Sequence, residues 1–184
     1  MIYLITGTTH TGKTVLSQRL IERHRFPCLS VDHLKMGLIR SGQTALRPED
    51  DDALTDYLWP IVREMIKTAL ENRQNLIVEG CYVPFDWRRD FDEGELSAIR
   101  FLCLGMTEAY IDAHFDRILT HACDAEARLD DSDCSPARLK AENRRCIEGF
   151  RAAGEDVLLI ETDWEAAVLG LLRPFREGDS NDLS

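Results

Sequence analysis

The chain opens with an apolar run, MIYLIT, and turns at once into Gly7-Thr8-Thr9-His10-Thr11-Gly12-Lys13-Thr14. These eight residues match GxxxxGK[ST] without a gap. A strand-like segment precedes them and an amphipathic helical pattern over residues 13–25 follows. No other feature constrains the fold as strongly. Glycine at both ends lets the backbone wrap closely round a ligand with no Cβ in the way. The loop N–H groups and the helix N-terminus then converge on one anion. A plain glycine turn would not require a lysine and a hydroxyl directly after the second glycine. The pattern implies a nucleoside triphosphate, with Lys13 bridging the β- and γ-phosphates and Thr14 offering its hydroxyl to Mg²⁺. The residues expected against the nucleotide are Gly7, Thr8, Thr9, His10, Thr11, Gly12, Lys13, Thr14 and Val15. His10 is expected to contribute its backbone, with its ring in solvent.

Four further apolar runs read as strands, at residues 28–31, 76–79, 99–104 and 157–160. Most are almost continuously apolar, as expected of parallel strands covered on both faces. Helical patterns alternate with them. Residues 33–40 end near Gly42. Residues 49–71 contain Pro60, which is expected to kink or divide that helix. Thr107 is a candidate cap for a helix to about residue 122. Ser135-Pro136 is a cap followed by proline at the first helical position, with Gly154 closing the helix. Asp163 can cap the last helix, which Pro174 ends. Strands alternating with helices imply an α/β fold, a three-layer sandwich round a five-stranded parallel sheet. One domain is expected over residues 1–175, with a polar tail at 176–184.

The 184 residues carry a formal net charge of −11, which argues against coating a nucleic acid, since that needs a basic stripe. A small anion remains compatible, because a few local cations and N–H groups suffice. Six cysteines, at positions 28, 81, 103, 123, 134 and 146, form no CxxC and no zinc-finger spacing, and read as scattered reduced thiols. The N-terminal run has no basic flank and is too short for a signal peptide, and no stretch is long enough for a membrane span. The expected location is the cytoplasm.

Leu76-Ile77-Val78-Glu79-Gly80 is an apolar strand ending in a carboxylate, which resembles a Walker B strand with Glu in place of the usual Asp. The longer side chain of Glu79 suggests an outer-sphere contact to the metal through water, or contact with the acceptor; a strand-end acid in solvent is the plainer alternative. With the loop and this strand in place, the chain resembles the small P-loop metabolite kinases of the adenylate-kinase-like superfamily, which includes gluconate kinase, shikimate kinase, chloramphenicol phosphotransferase and the zeta-toxin kinases. The stretch CLSVDHLKMGLIRSGQ is similar to adenylate-kinase-like and 2-phosphoglycerate-kinase-like proteins. The resemblance covers most of the chain as architecture. It implies ATP with Mg²⁺ and a helical lid, here residues 120–145. It also implies a carboxylate after the second strand facing the acceptor hydroxyl, here Asp32.

Asp32 can orient that hydroxyl and take its proton, or simply cap a helix starting at His33. Arg117 and Arg128 are the lid candidates for stabilising the transferring phosphoryl group, with Arg138, Arg144 and Arg145 behind them. Acceptor contacts are expected from Asp32, Arg40, Glu79, Tyr82 and Arg88. The loop EGCYVPFDWRRDF serves either a ligand or a small core under itself. Asp163 and Trp164 are placed either at the nucleotide base or only at the start of the last helix. Together these features imply phosphotransfer from ATP to a hydroxyl of a small molecule, an anionic one being compatible with Arg40. A nucleoside monophosphate kinase and an NTP-dependent switch are the alternatives. A monomer and a homodimer are equally compatible.

Overall fold

A computed structural model describes residues 1–125 and 134–170. Its centre is β1 (Ile2–Gly7), where all six residues are buried. A strand covered on both faces sends alternate side chains into two cores. Ile2 and Leu4 join one cluster with Leu58, Val62, Ile66, Val78 and Phe150. Tyr3 and Ile5 join another with Leu16, Leu20, Leu102, Leu104 and Val168. Each fully buried aliphatic side chain contributes about 1.5–3 kcal/mol by leaving water, so β1 acts as the main anchor of the sheet.

Around it lie β2 (Cys28–Ser30), β3 (Leu76–Glu79), β4 (Ile99–Met106) and β5 (Val157–Ile160). The order is β2-β3-β1-β4-β5 and every pairing is parallel. The helices are α1 (Lys13–His24), α2 (Val31–Arg40), α3 (Asp51–Glu71), α4 (Glu93–Ser97), α5 (Glu108–Ala125), α6 (Pro136–Ala152) and α7 (Trp164–Leu169). The apolar faces of α1 and α7 pack on one side of the sheet; those of α3 and α6 pack on the other. The expected three-layer α/β sandwich is thus present. Because all strands run the same way, the loops after β1, β2, β3 and β4 emerge at one edge, where ligands of open α/β sheets bind.

Two expectations need correction. Pro60 does not divide α3, which continues from Asp51 to Glu71. The proline is exposed, and Leu58, Trp59 and Val62 on either side of it are buried in one core, which keeps the two halves together. The irregular backbone lies instead in α5, at His114, with φ −131° and ψ 18°. Secondly, α2 begins at Val31, with Ser30 as its N-cap residue, so Asp32 lies within the first turn and is not a cap. The expected lid is described only at its flanks, the end of α5 and the start of α6; Arg128 and the tail lie outside the described residues. Among the described residues, no helix is long and apolar enough to cross a membrane.

Candidate active site

The loop after β1 is shaped by its glycines. Gly7 has φ +137° and Gly12 has φ +82°, both in the region that favours glycine. A Cβ on Gly7 would strike the carbonyl oxygen of Leu104, and one on Gly12 would strike the indole of Trp164. Trp164 also donates from Nε1 to the Thr11 carbonyl at 2.9 Å. The ring therefore buttresses the loop from behind, while Asp163 caps α7 by accepting from Ala166 N at 3.1 Å. Of the two roles read from the sequence for Asp163, the structure displays the helix cap. Gly12→Ala is expected to strain this site by about 1–3 kcal/mol, seen as a lower melting temperature and weaker ATP binding in a titration.

Thr8 closes the loop on itself. Its carbonyl accepts from Thr11 Oγ1 at 2.9 Å and from Lys13 Nζ at 2.6 Å. Its hydroxyl donates to Asn143 Oδ1 at 3.2 Å, and the same oxygen accepts from Met106 N at 3.0 Å. Asn143 Nδ2 completes the tie by donating to Met106 O. One buried amide on α6 thus joins the loop to the end of β4. The His10 ring does not stand alone in solvent: its Nε2 lies 3.7 Å from Cys134 Sγ, just before α6. Its backbone is left-handed, with φ +63°.

Thr14 Oγ1 donates to Glu79 Oε2 at 3.5 Å, and Glu79 is buried at the end of β3. The plain reading of Glu79 as a solvent-facing acid is therefore excluded. A hydroxyl and a carboxylate side by side are hard oxygen donors suited to Mg²⁺, which keeps most of its ligands as water and substrate phosphate. Among the described residues, no group of three or more His, Cys, Asp or Glu forms a protein-only metal cage. Thr14 and Glu79 would hold such an ion.

Lys13 is buried, only 7% exposed. Burial by itself would favour the neutral amine, but Cys81, Asp32 and Glu79 beside it outweigh that effect and raise its pKa above the usual lysine value. Lys13 is thus a fixed cation across the neutral range. Since the folded value exceeds that of an unfolded lysine, its stabilisation is complete below the unfolded value and is lost as pH rises through the folded one. In melting curves against pH, a Lys13→Met variant should lack this alkaline component of the wild-type decline.

On the acceptor side, Asp32 Oδ1 pairs with Lys35 Nζ at 2.9 Å. Lys35 also donates to Tyr82 Oη at 2.8 Å, and Tyr82 donates to Asp51 Oδ1 at 3.2 Å. Burial, with the nearby Asp32 and Asp51 charges, pushes the Tyr82 hydroxyl well above its ordinary value, so it remains a donor. Asp32 also acts on Lys13 and on Tyr82 electrostatically. A continuous network of side chains therefore runs from the phosphate lysine through Asp32, Lys35 and Tyr82 to Asp51 at the start of α3. Lys35, Asp51 and Asn143 were not singled out in the sequence. The first has a signal, its i,i+3 spacing from Asp32 on a helix; the other two depend on contacts between distant segments.

The remaining candidates lie elsewhere. Arg88 pairs with the buried Glu155 and stacks over Trp87, 4.9 Å from its centroid. Trp87 is fully buried and stacked on Phe101, and Phe85 meets Phe150 edge to face. Apart from Tyr82, then, the loop after β3 builds a core under itself. Arg40 is exposed at the far end of α2, about 12 Å along the axis from Asp32 at 1.5 Å per residue. Arg117 is exposed on α5, close enough to Tyr110 to act on its hydroxyl. Val15 is half-buried in the first turn of α1.

No protein-family model matches the chain, and no curated protein matches it. Solved structures do. Shikimate kinase from Bacteroides thetaiotaomicron superposes with a TM-score of 0.53 at 14% identity, over 93% of this chain and 96% of that one. Deoxyadenosine kinase from M.mycoides, with dCMP and dCDP bound, gives 0.52 at 13% identity, over 94% and 95%. The chain has the P-loop kinase fold. Within that fold, the GxxxxGK[ST] loop, the β3 carboxylate and the carboxylate after β2 share the C-terminal edge of the sheet.

Proposed function

We propose that the chain is an ATP-dependent phosphotransferase that moves the γ-phosphoryl group to a hydroxyl of a small molecule, with Mg²⁺ as the metal. The observation that carries this reading is Asp32: a carboxylate in the first turn of α2, beside the phosphate lysine Lys13 and fixed by Lys35. Transfer to a hydroxyl needs such a group, which orients the acceptor oxygen and receives its proton late in the reaction. The acceptor oxygen forms a bond to the γ-phosphorus as the bond from that phosphorus to the β,γ-bridging oxygen breaks. The products are ADP, a phosphate monoester and the proton taken by Asp32.

Lys13 neutralises charge on the phosphates, Thr14 and Glu79 would hold the ion, and the loop N–H groups cradle the β-phosphate. Arg117 and Arg128 are proposed for the lid, because arginine binds phosphate oxygens in pairs. Two of the structural neighbours are kinases named for different acceptors, shikimate and deoxyadenosine, so the shared fold leaves the acceptor open. The test is ADP release from Mg-ATP by the pure protein with and without hydroxyl compounds. Release that depends on one such compound supports the reading. Release that depends on a nucleoside monophosphate would replace it with a monophosphate kinase, and acceptor-independent release with a switch ATPase.

A further inference from the structure

The charges along the side-chain network from Asp32 to Asp51 point to a class of acceptor. Three cations act electrostatically on Asp51 at the start of α3, and each is already matched by a carboxylate. Lys35 pairs with Asp32 at 2.9 Å. Arg145 of α6 pairs with Asp52 of α3 at 2.7 Å, and Arg138 pairs with Glu142 at 2.7 Å. Asp51 is the carboxylate left over. Among the described residues, no cation lies within ion-pair distance of it, and the hydrogen bond it accepts comes from the neutral Tyr82 hydroxyl at 3.2 Å. The residue is exposed at the start of α3, yet protein crowds its carboxyl. That crowding, with the nearby Glu142 charge, outweighs the Tyr82 hydrogen bond and the more distant Lys35 and Arg138 in disfavouring its charge. A partly desolvated carboxylate with one neutral donor gains most from a ligand that brings further donors.

We propose that Asp51 is an acceptor-recognition residue, and that the acceptor is a neutral or amine-bearing hydroxyl compound, not a carboxylic acid or a phosphate ester. This rests on the phosphotransferase reading above and narrows it. A hydroxyl or ammonium group of the acceptor donates to Asp51 while a second hydroxyl lies at Asp32. An anionic group placed there would meet Asp51 directly and would have to displace Asp52 from Arg145 or Asp32 from Lys35. Asp32 and Asp51 are bridged through Lys35 and Tyr82, so one acceptor can span both carboxylates along a single network.

The experiment is acceptor-stimulated ADP release by the full chain with matched pairs: a sugar alcohol and its sugar acid, an amino sugar and a sugar phosphate, a nucleoside and its monophosphate. Stimulation confined to neutral or amine-bearing members is expected. In Asp51→Asn, the KM for the active acceptor should rise about tenfold, the worth of one charged hydrogen bond, while the KM for ATP stays the same. Melting curves report whether the variant folds, and the wild-type comparison does not depend on it. Stimulation by an acid or phosphate ester at an equal or higher rate would overturn this inference and leave the phosphotransferase reading standing. So would an unchanged acceptor KM in folded Asp51→Asn, or no stimulation by any neutral or amine-bearing member. Release that is equally fast without any acceptor would overturn both.

Discussion

Lys13→Ala is expected to abolish turnover, with a loss of about 10³-fold or more, at the upper end of what one preorganised donor contributes. Lys13 is the cation beneath the loop, fixed by the Thr8 carbonyl and kept charged by its carboxylate neighbours. Removing it does more than delete one contact. Asp32 and Glu79 would then face the incoming phosphates with no compensating charge between them, so the site would change sign where it must be positive. ATP affinity should fall together with turnover, because the ground state and the transition state both place negative charge there. A rate assay and an ATP titration on the purified variant, with a melting curve to establish folding, check this. Wild-type turnover in Lys13→Ala would remove the phosphate-loop reading altogether.

Asp32→Asn is the second large effect, and its pattern differs. The amide oxygen can still accept from Lys35, so the network of Asp32, Lys35 and Tyr82 keeps its shape. What is lost is the capacity to take a proton. Transfer is expected to slow by about 10²–10⁴-fold, the range for a general base, while ATP binding changes little. Single-turnover measurement with saturating ATP separates the two quantities. Normal transfer by this variant would leave Asp32 as no more than the partner of Lys35 in the first turn of α2.

The loop could be read from sequence because its chemistry is local. Two glycines, a lysine and a hydroxyl at fixed spacing determine where the backbone turns and which way its N–H groups point. The apolar strands were equally legible, since burial on both faces leaves a continuous run. Leu76–Glu79 and Val157–Ile160 coincide with the runs predicted for them, and Ser135 and Asp163 cap the helices they precede. Pro60 does not divide α3, because Leu58, Trp59 and Val62 bind both halves of the helix to the core, a long-range effect that the proline's local cost does not reveal.

Long-range contacts were the harder part. The link from Asn143 to Thr8 spans 135 residues, and that from Trp164 to Thr11 spans 153. Neither leaves a periodic trace. Arg88 illustrates the converse: a basic residue in an aromatic loop resembled a ligand contact, but its partner is Glu155, a buried acid 67 residues away. The small helix α4 went unread although Asp92 and Glu95 form a reciprocal capping box, a signal visible in DEGE itself.

The central claim is transfer of the γ-phosphoryl group to a hydroxyl, and phosphorus NMR of the reaction tests it most directly. The protein is incubated with Mg-ATP and a set of hydroxyl compounds, each compared with a control lacking acceptor. A new phosphate-monoester signal that grows in step with ADP, absent from the control and lost in Asp32→Asn, is the predicted result. Loss of ATP that yields only inorganic phosphate, at a rate indifferent to any acceptor, would contradict it.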